Sequence, residues 1–552
     1  MQDRVLQLDP RDNVLIALAD LKQGDEVNFS GKNYALVSSV PAKHKFATED
    51  LGPSAPVIMY GIMVGSATRP IPRGSLLTTG NVHHQAAPFH AKSGEFQWKA
   101  PGISRWKNRT FLGFPRSDGQ VGTRNYWLVV PLVFCENRNI AVLRQAFEEE
   151  LGFAAPQVYR RQVAELAGLY REGKTEALDV PASGNRLDHA SDPPAQKVFK
   201  HIDGIKFLVH EGGCGGTRED STNLCGLIAG YVNHPNVAGA TVLSLGCQNA
   251  QAGILRQQIK KRNPDFNKPL IILEHQQSGS EFALLSEAIR QTFSGLAETN
   301  TARRVPSSLS HLTVGLKCGG SDGFSGISAN PAIGHTSDLI VALGGKTILS
   351  EFPELCGTEQ QFINRSTRSE ISDKFLHLMQ SYNARANAVG SGFDMNPSPG
   401  NIRDGLITDA MKSAGAAKKG GTAPVAAVID YPEYATEPGL NLQCTPGNDV
   451  ECVTAQVGAG ANVVLFTTGL GTPTGNPIAP VVKLSTNSNL ALRMSDIIDI
   501  DTGRIVTGET TIERMGEEIL ELVIKVASGE VQTKAEIKAQ ADFIPWKRGV
   551  SL

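Results

Sequence analysis

The chain has 552 residues, 41% hydrophobic and 20% charged, the composition of a globular protein that buries large cores over about two to four domains. Its 53 basic and 55 acidic residues leave a formal net charge of −2, which argues against nucleic-acid binding and against a polybasic membrane patch. No apolar run reaches the roughly 20 residues of a bilayer span, the N-terminus lacks a secretory pattern, and eight scattered cysteines are expected to stay thiols in a reducing cytoplasm.

Residues 1–95 predict a compact β module of barrel or clip type. Short strands are expected over 12–18, 34–37, 41–47 and 60–65, punctuated by Gly and Pro. Residues 96–108 have no period and predict a linker. From 109 onward short β-branched runs alternate with helical patterns. Strands are expected over 126–133, 205–209, 240–245, 269–273, 312–316, 339–343, 347–349, 425–429 and 462–466. That alternation predicts parallel-sheet α/β domains, divided as 109–300 and 301–552. A helix is expected over 281–296, with Phe282, Leu285, Ile289, Phe293 and Leu296 on one face at spacings of three and four. The segment from about 156 to 205, polar past Tyr170 and containing Pro181, Pro193 and Pro194, reads as a surface loop or interface element.

The chemistry is expected after the strands, because open parallel sheets place their ligand crevice at the carboxyl ends. Cys135, His210 to Cys214, Cys247, Glu274-His275, Lys317 to Asp322, Ser350-Glu351 and Thr467 to Pro473 all follow apolar runs. Any one of these is equally a helix cap or a turn; seven together predict a polar site. His210, Glu211 and Cys214 offer ligand types that a divalent transition metal accepts, although no standard zinc spacing occurs. The alternative is a satisfied buried histidine and a packed thiol. The run Lys317-Cys318-Gly319-Gly320-Ser321-Asp322 lets backbone approach a ligand closely and presents N–H groups suited to a carboxylate or phosphate. It is neither a Walker loop nor a dinucleotide fingerprint. Turns at 396–401 and 445–449 carry amides and hydroxyls suited to a polyol. His44, in Lys43-His44-Lys45, is either an acid/base group or a structural histidine.

The stretch Cys318-Gly319-Gly320-Ser321-Asp322-Gly323-Phe324-Ser325-Gly326, with His234-Pro235-Asn236, Leu245-Gly246-Cys247, Asn396 to Asn401, Thr467 to Pro473 and Gly119 to Asn125, resembles the altronate/galactarate dehydratase family. Asp12-Asn13-Val14 and His44-Lys45 resemble its SAF (β-clip) domain. The resemblance implies an α/β protein with a small N-terminal β-clip module. It implies loss of water from a sugar acid, altronate in the first place, giving 2-keto-3-deoxygluconate in hexuronate breakdown. It also implies Fe(II) or Mn(II). On that basis His210, Cys214 and Cys318 are expected to hold or border the metal, and Lys317, Glu351 or His44 to move the proton. Arg124, Asn125, Ser321, Asp322, Asn330, Asn401 and Thr472 are expected to bind substrate. The alternatives are galactarate as substrate, a sulfolactate sulfo-lyase-like elimination, and a sugar-acid binding protein without turnover. A small-molecule sugar acid is the expected partner, with no nucleic acid and no membrane, and a symmetric homo-oligomer is the expectation for an α/β enzyme of this size.

Overall fold

A computed structural model describes residues 4–92, 94–154, 158–179 and 196–551. Pro181, Pro193 and Pro194 of the expected loop lie outside these residues. Before them, Val158–Arg171 forms a helix.

The N-terminal module is built of short antiparallel strands. Val5–Leu6, Val14–Ala17 and Lys45–Ala47 form one sheet, Pro56–Met59, Ile62–Ala67 and Val82–His83 another, and Glu26–Phe29 with Lys32–Ala35 a hairpin. Its core is not self-contained. Val14, Ile16, Met59 and Val64 share one apolar cluster with Phe324, Ile327, Leu406 and Met411 of the C-terminal module, so removing either partner would expose the other's apolar face.

The second module holds a parallel sheet in the order Gly204–Phe207, Tyr126–Pro131, Val237–Ser244, Leu270–Glu274. The C-terminal module holds a seven-stranded parallel sheet. Its order is Val425–Ile429, Gly439–Gln443, Lys346–Leu349, Thr313–Cys318, Val463–Thr468, Val481–Ser485, Ile500–Asp501. The two central strands are buried at every residue, as strands covered on both faces must be. Helices Ala329–Ala342 and Ile512–Ala527 cover one face. On the other, Asp449–Gly458 meets Arg218–Asn233 of the second module. A single apolar cluster runs from Leu128 and Val242 through Leu227 and Tyr231 to Val453, Val464 and Phe466. Among the described residues no helix is long and apolar enough to cross a membrane.

Two expectations are corrected. Residues 339–343 are not a strand but the end of the Ala329–Ala342 helix and its cap; a short apolar run gives no period to separate a buried helix from a strand. The helix over 281–296 exists, as Glu281–Thr299, but its inward face is Leu284, Ala288, Thr292, Gly295 and Leu296, of which only Leu296 belongs to the expected stripe. Phe282, Ile289 and Phe293 are 82%, 39% and 45% exposed. Small residues allow close packing on the sheet, a choice the apolar stripe of larger side chains conceals.

Candidate active site

The chain leaves Thr313–Cys318 for Lys346–Leu349 on one side and returns at Val463–Thr468 on the other. This reversal of strand order opens a crevice at the carboxyl ends. A cleft of about 600 Å³ lies there, lined by Cys318, Gly319, Ser321, Glu354, Asn396, Asn401, Lys412 and Asp449 among others.

Behind its wall is a dense network of charges. The Lys317 ammonium is paired with Glu351 and lies 2.8 Å from Asp449. Lys419 donates to Glu351 at 2.5 Å and to the Cys318 sulfur at 2.6 Å. The Cys318 thiol donates to Glu354 at 3.2 Å, and Lys412 pairs with Glu354 at 2.9 Å. All but Asp449 are buried. Burial works against the charge on Lys317, but Glu351 and then Asp449 hold its ammonium above the usual lysine value. Burial likewise opposes the charge on Glu354, yet Lys412, Lys317 and Lys419 bring its carboxyl down to about 2. The Cys318 thiol is pushed up to about 12 by burial, then by Glu351 and Glu354. The cluster thus holds Glu354 as a carboxylate among ammonium groups, around a neutral thiol.

Local backbone makes the array possible. Glu351 is in the left-handed conformation, with φ 67° and ψ 56°, a strained choice for a non-glycine residue that turns its carboxylate back beneath the sheet. Gly319 and Gly469 fit against the charges themselves: a Cβ would stand 2.4 Å from an Asp449 oxygen at the first and 2.3 Å from the Asp322 carboxyl carbon at the second.

The structure brings together only part of the expected site. Lys317, Cys318, Ser321, Glu351 and Asn401 share this corner, where Asn401 donates to the Ser321 carbonyl at 2.7 Å. Asp322 is spent on Lys43 of the β-clip module at 3.0 Å and on Ser325 at 3.0 Å. His44 beside it is half-buried, its Nδ1 3.3 Å from the Ala42 carbonyl, and burial lowers its pKa. Asn330 bridges Gly415 and Thr467, at 3.0 and 2.8 Å, inside the fold. The Thr472 backbone N–H donates to the Thr468 hydroxyl at 3.2 Å. Arg124 and Asn125 precede their strand and lie at its amino end, away from the cleft. Arg124 is consumed by Glu536, at 2.7 and 3.0 Å, and by the Thr123 and Val526 carbonyls. Asn125 donates to the His201 carbonyl at 2.7 Å. His210 uses both ring nitrogens on backbone, donating to Pro131 at 2.8 Å and accepting from Gly212 at 3.1 Å, and burial depresses it to about 4. It lines a different cavity with Cys214.

Two groups among the described residues bring three potential metal-ligand atoms within 4.8 Å of one another. Cys318, Glu351 and Glu354 do so, but Lys317, Lys412 and Lys419 already neutralise them, so this set does not fit a resident divalent ion. His84, Cys356 and Asp409 fit better by donor chemistry, and Asp409 keeps one buried oxygen without a hydrogen-bond partner. None of the three lines the cleft, so an ion there would not touch a ligand bound in it.

Lys412, Lys419 and Glu354 are the residues that sequence reasoning missed. Glu354 stands three residues after Glu351, a spacing that was readable. The two lysines come from a helix and a turn roughly 60 residues further on, with no signal of their own.

Fold and site together define a three-module α/β protein with a charged cleft at the switch point of a parallel sheet. The chain belongs to the D-galactarate/altronate dehydratase family. Residues 3–85 match the altronate/galactarate dehydratase SAF domain, 113–300 the D-galactarate dehydratase/altronate hydrolase second domain, and 309–551 the D-galactarate/altronate dehydratase C-terminal domain. It is similar to altronate dehydratase of Escherichia coli, 31% identical over 98% of both chains, and to that of Bacillus subtilis, 30% over 99% of both. The (2R)-sulfolactate sulfo-lyase subunit beta of Chromohalobacter salexigens is 26% identical over 79% of this chain and 97% of its own.

Proposed function

We propose that this chain is a sugar-acid dehydratase, and that altronate is its substrate and 2-keto-3-deoxygluconate its product. The observation that carries the reading is the cleft itself: amides and a hydroxyl suited to a polyol, from Asn396, Asn401 and Ser398, stand beside the Lys412 ammonium suited to a carboxylate. The reaction removes the proton α to the carboxylate and expels the C3 hydroxyl. It needs a base, and fixed positive charge where the enolate develops.

Glu354 is the base in this reading. It lines the cleft, and at rest its proton affinity is held low by three ammonium groups. A substrate carboxylate that engages Lys412 draws that cation away from Glu354, so the carboxylate gains basicity as substrate binds. Lys317 and Lys419 keep the positive field behind it, and Glu351 positions both. The Fe(II) or Mn(II) expected from the resemblance remains part of the reading, outside the Cys318 cluster, whose carboxylates the three lysines already neutralise.

The test is a substrate panel of altronate, galactarate, glucarate, mannonate and sulfolactate, each with Fe(II), Mn(II) or chelator under anaerobic conditions, scored by 2-keto-3-deoxy acid release. Altronate turnover that chelator removes, and that Glu354→Gln lowers by at least about 100-fold, the range of a lost general base, is the expected result. Sulfite release from sulfolactate without any sugar-acid turnover would transfer the reading to the sulfo-lyase. No turnover by folded, metal-supplied protein would leave a binding protein.

A further inference from the structure

The second module carries a feature that the cleft does not use. Three of its strands stand side by side in the order Gly204–Phe207, Tyr126–Pro131, Val237–Ser244, all parallel. Each runs on at its carboxyl end into a cysteine: Cys214, Cys135 and Cys247 respectively. Of the eight cysteines, these three are the exposed ones. Neighbouring strands are about 4.8 Å apart, and the loops are tied together. Phe134 N–H donates to the Gly212 carbonyl at 3.1 Å, and Ala250 N–H to that of Gly213 at 3.0 Å. The Asn249 amide donates to the Cys214 carbonyl at 3.3 Å. Gly213, at φ 97°, sits so tightly on the neighbouring loop that a Cβ would stand 2.0 Å from the Leu132 oxygen. The three thiols therefore ride on one contiguous loop surface.

Packing does not explain them, since a packed thiol is buried, as Cys225 and Cys444 are. A disulfide would leave the third cysteine over. A closed structural zinc site needs four ligands, and His210 nearby has both ring nitrogens engaged. Three thiolates from three strands are what an iron–sulfur cluster with one iron free of protein ligand requires. Gly213 and Gly215, on either side of Cys214, leave the backbone there without side chains to shield it from cluster sulfur. Cys214 also borders a cavity of about 630 Å³, which Asn137 and Glu451 help to line. The Asn137 Oδ1 is buried there without a hydrogen-bond partner.

We propose that Cys135, Cys214 and Cys247 ligate a [4Fe–4S] cluster, with its fourth iron turned toward that cavity. The placement joins the two halves of the protein. Glu451 borders this cavity and Asp449 borders the C-terminal cleft, so both openings flank the first turn of the Asp449–Gly458 helix. The proposal does not depend on which acid the cleft takes.

The full chain, reconstituted anaerobically with Fe(II) and sulfide, is assayed for iron, acid-labile sulfide and visible absorption. About four of each per chain are expected. Cys135→Ser, Cys214→Ser and Cys247→Ser should each lose the cluster with an unchanged far-ultraviolet circular dichroism spectrum, and Cys444→Ser should keep it. Should a serine variant misfold, mass-mapped alkylation of the wild-type chain serves instead: the cluster must protect these three cysteines, which react in the apo form. Iron without sulfide, a cluster retained in all three variants, or equal alkylation with and without cluster would overturn the proposal. Each of these readouts is made without turnover, so it stands or fails apart from the dehydratase reading.

Discussion

At the scale of single residues, Glu351 holds the most. One carboxylate takes two buried ammonium groups and raises the Cys318 thiol. Glu351→Gln therefore has two expected effects. The Cys318 titration moves down from about 12, because one of the carboxylates that opposes the thiolate is gone while Lys419 remains. Stability falls by about 3–5 kcal/mol, the range for stripping one partner from a buried ion pair. Thiolate absorbance against pH reads the first and urea unfolding the second; a thiol that titrates unchanged would mean that burial and Glu354 set it without Glu351. Lys317, Cys318 and Glu351 were legible in the sequence because each follows an apolar run that had to be a buried strand. Arg124 and Asn125 were expected in the site only through the resemblance of residues 119–125 to the family, but they stand before their strand, and the amino end of a parallel sheet faces away from the crevice. Glu536, which consumes Arg124, lies 412 residues along the chain, beyond any local pattern.

At the scale of elements, the position of Lys419 depends on a helix that does not touch the cleft. The turn Ala417–Gly420 packs on Ala329–Ala342, and Asp338 of that helix accepts from Thr422 and Ala423 N–H at 2.8 Å just past the turn. Gly334 is the contact point, where a Cβ would stand 2.1 Å from the Lys418 carbonyl oxygen. Helix propensity favours Ala there by about 1 kcal/mol, yet the clash displaces the turn. Gly334→Ala is expected to cost about 1–3 kcal/mol, as overpacking does. It should lower turnover more than it changes KM, since Lys419 and not the cleft wall is moved. A variant more stable than wild type would show that the turn gives way freely. The sequence made Ala329–Ala342 hard to read for the same reason: it is buried nearly all round, because sheet, turn and the Ile512–Ala527 helix enclose it, so residues 339–343 carry no amphipathic period. The alternation of strands and helices was legible because parallel sheets require it; which face of Glu281–Thr299 turns inward was not, because Gly and Ala packing leaves no apolar signal.

At the scale of the whole molecule, the two parallel sheets share a seam of buried hydrogen bonds as well as a common apolar core. Thr123 donates to the Asn462 carbonyl at 2.8 Å, and Asn236 to that of Ile478 at 2.8 Å. His234, wholly buried between the modules, donates to Ala461 at 3.0 Å and accepts from the Asn236 N–H at 3.0 Å. Burial, with Lys268 and Arg116 nearby, depresses its imidazole to about 3. Folded protein therefore keeps His234 neutral at pH values where the unfolded chain has already bound a proton. Its contribution to stability is complete above about pH 6.5, the unfolded value, and is lost as the pH falls toward 3. His210, at about 4, acts in the same direction within the second module. Each histidine is expected to remove roughly 1 kcal/mol of stability per pH unit across this window. Urea unfolding at stepped pH from 7 to 4 should show that slope in wild type and a shallower one in His234→Asn, with the second and C-terminal modules unfolding in one transition. Equal slopes would mean that water reaches the seam and His234 titrates as a free imidazole does. Two separate transitions would mean that the shared core couples the modules less strongly than the seam implies.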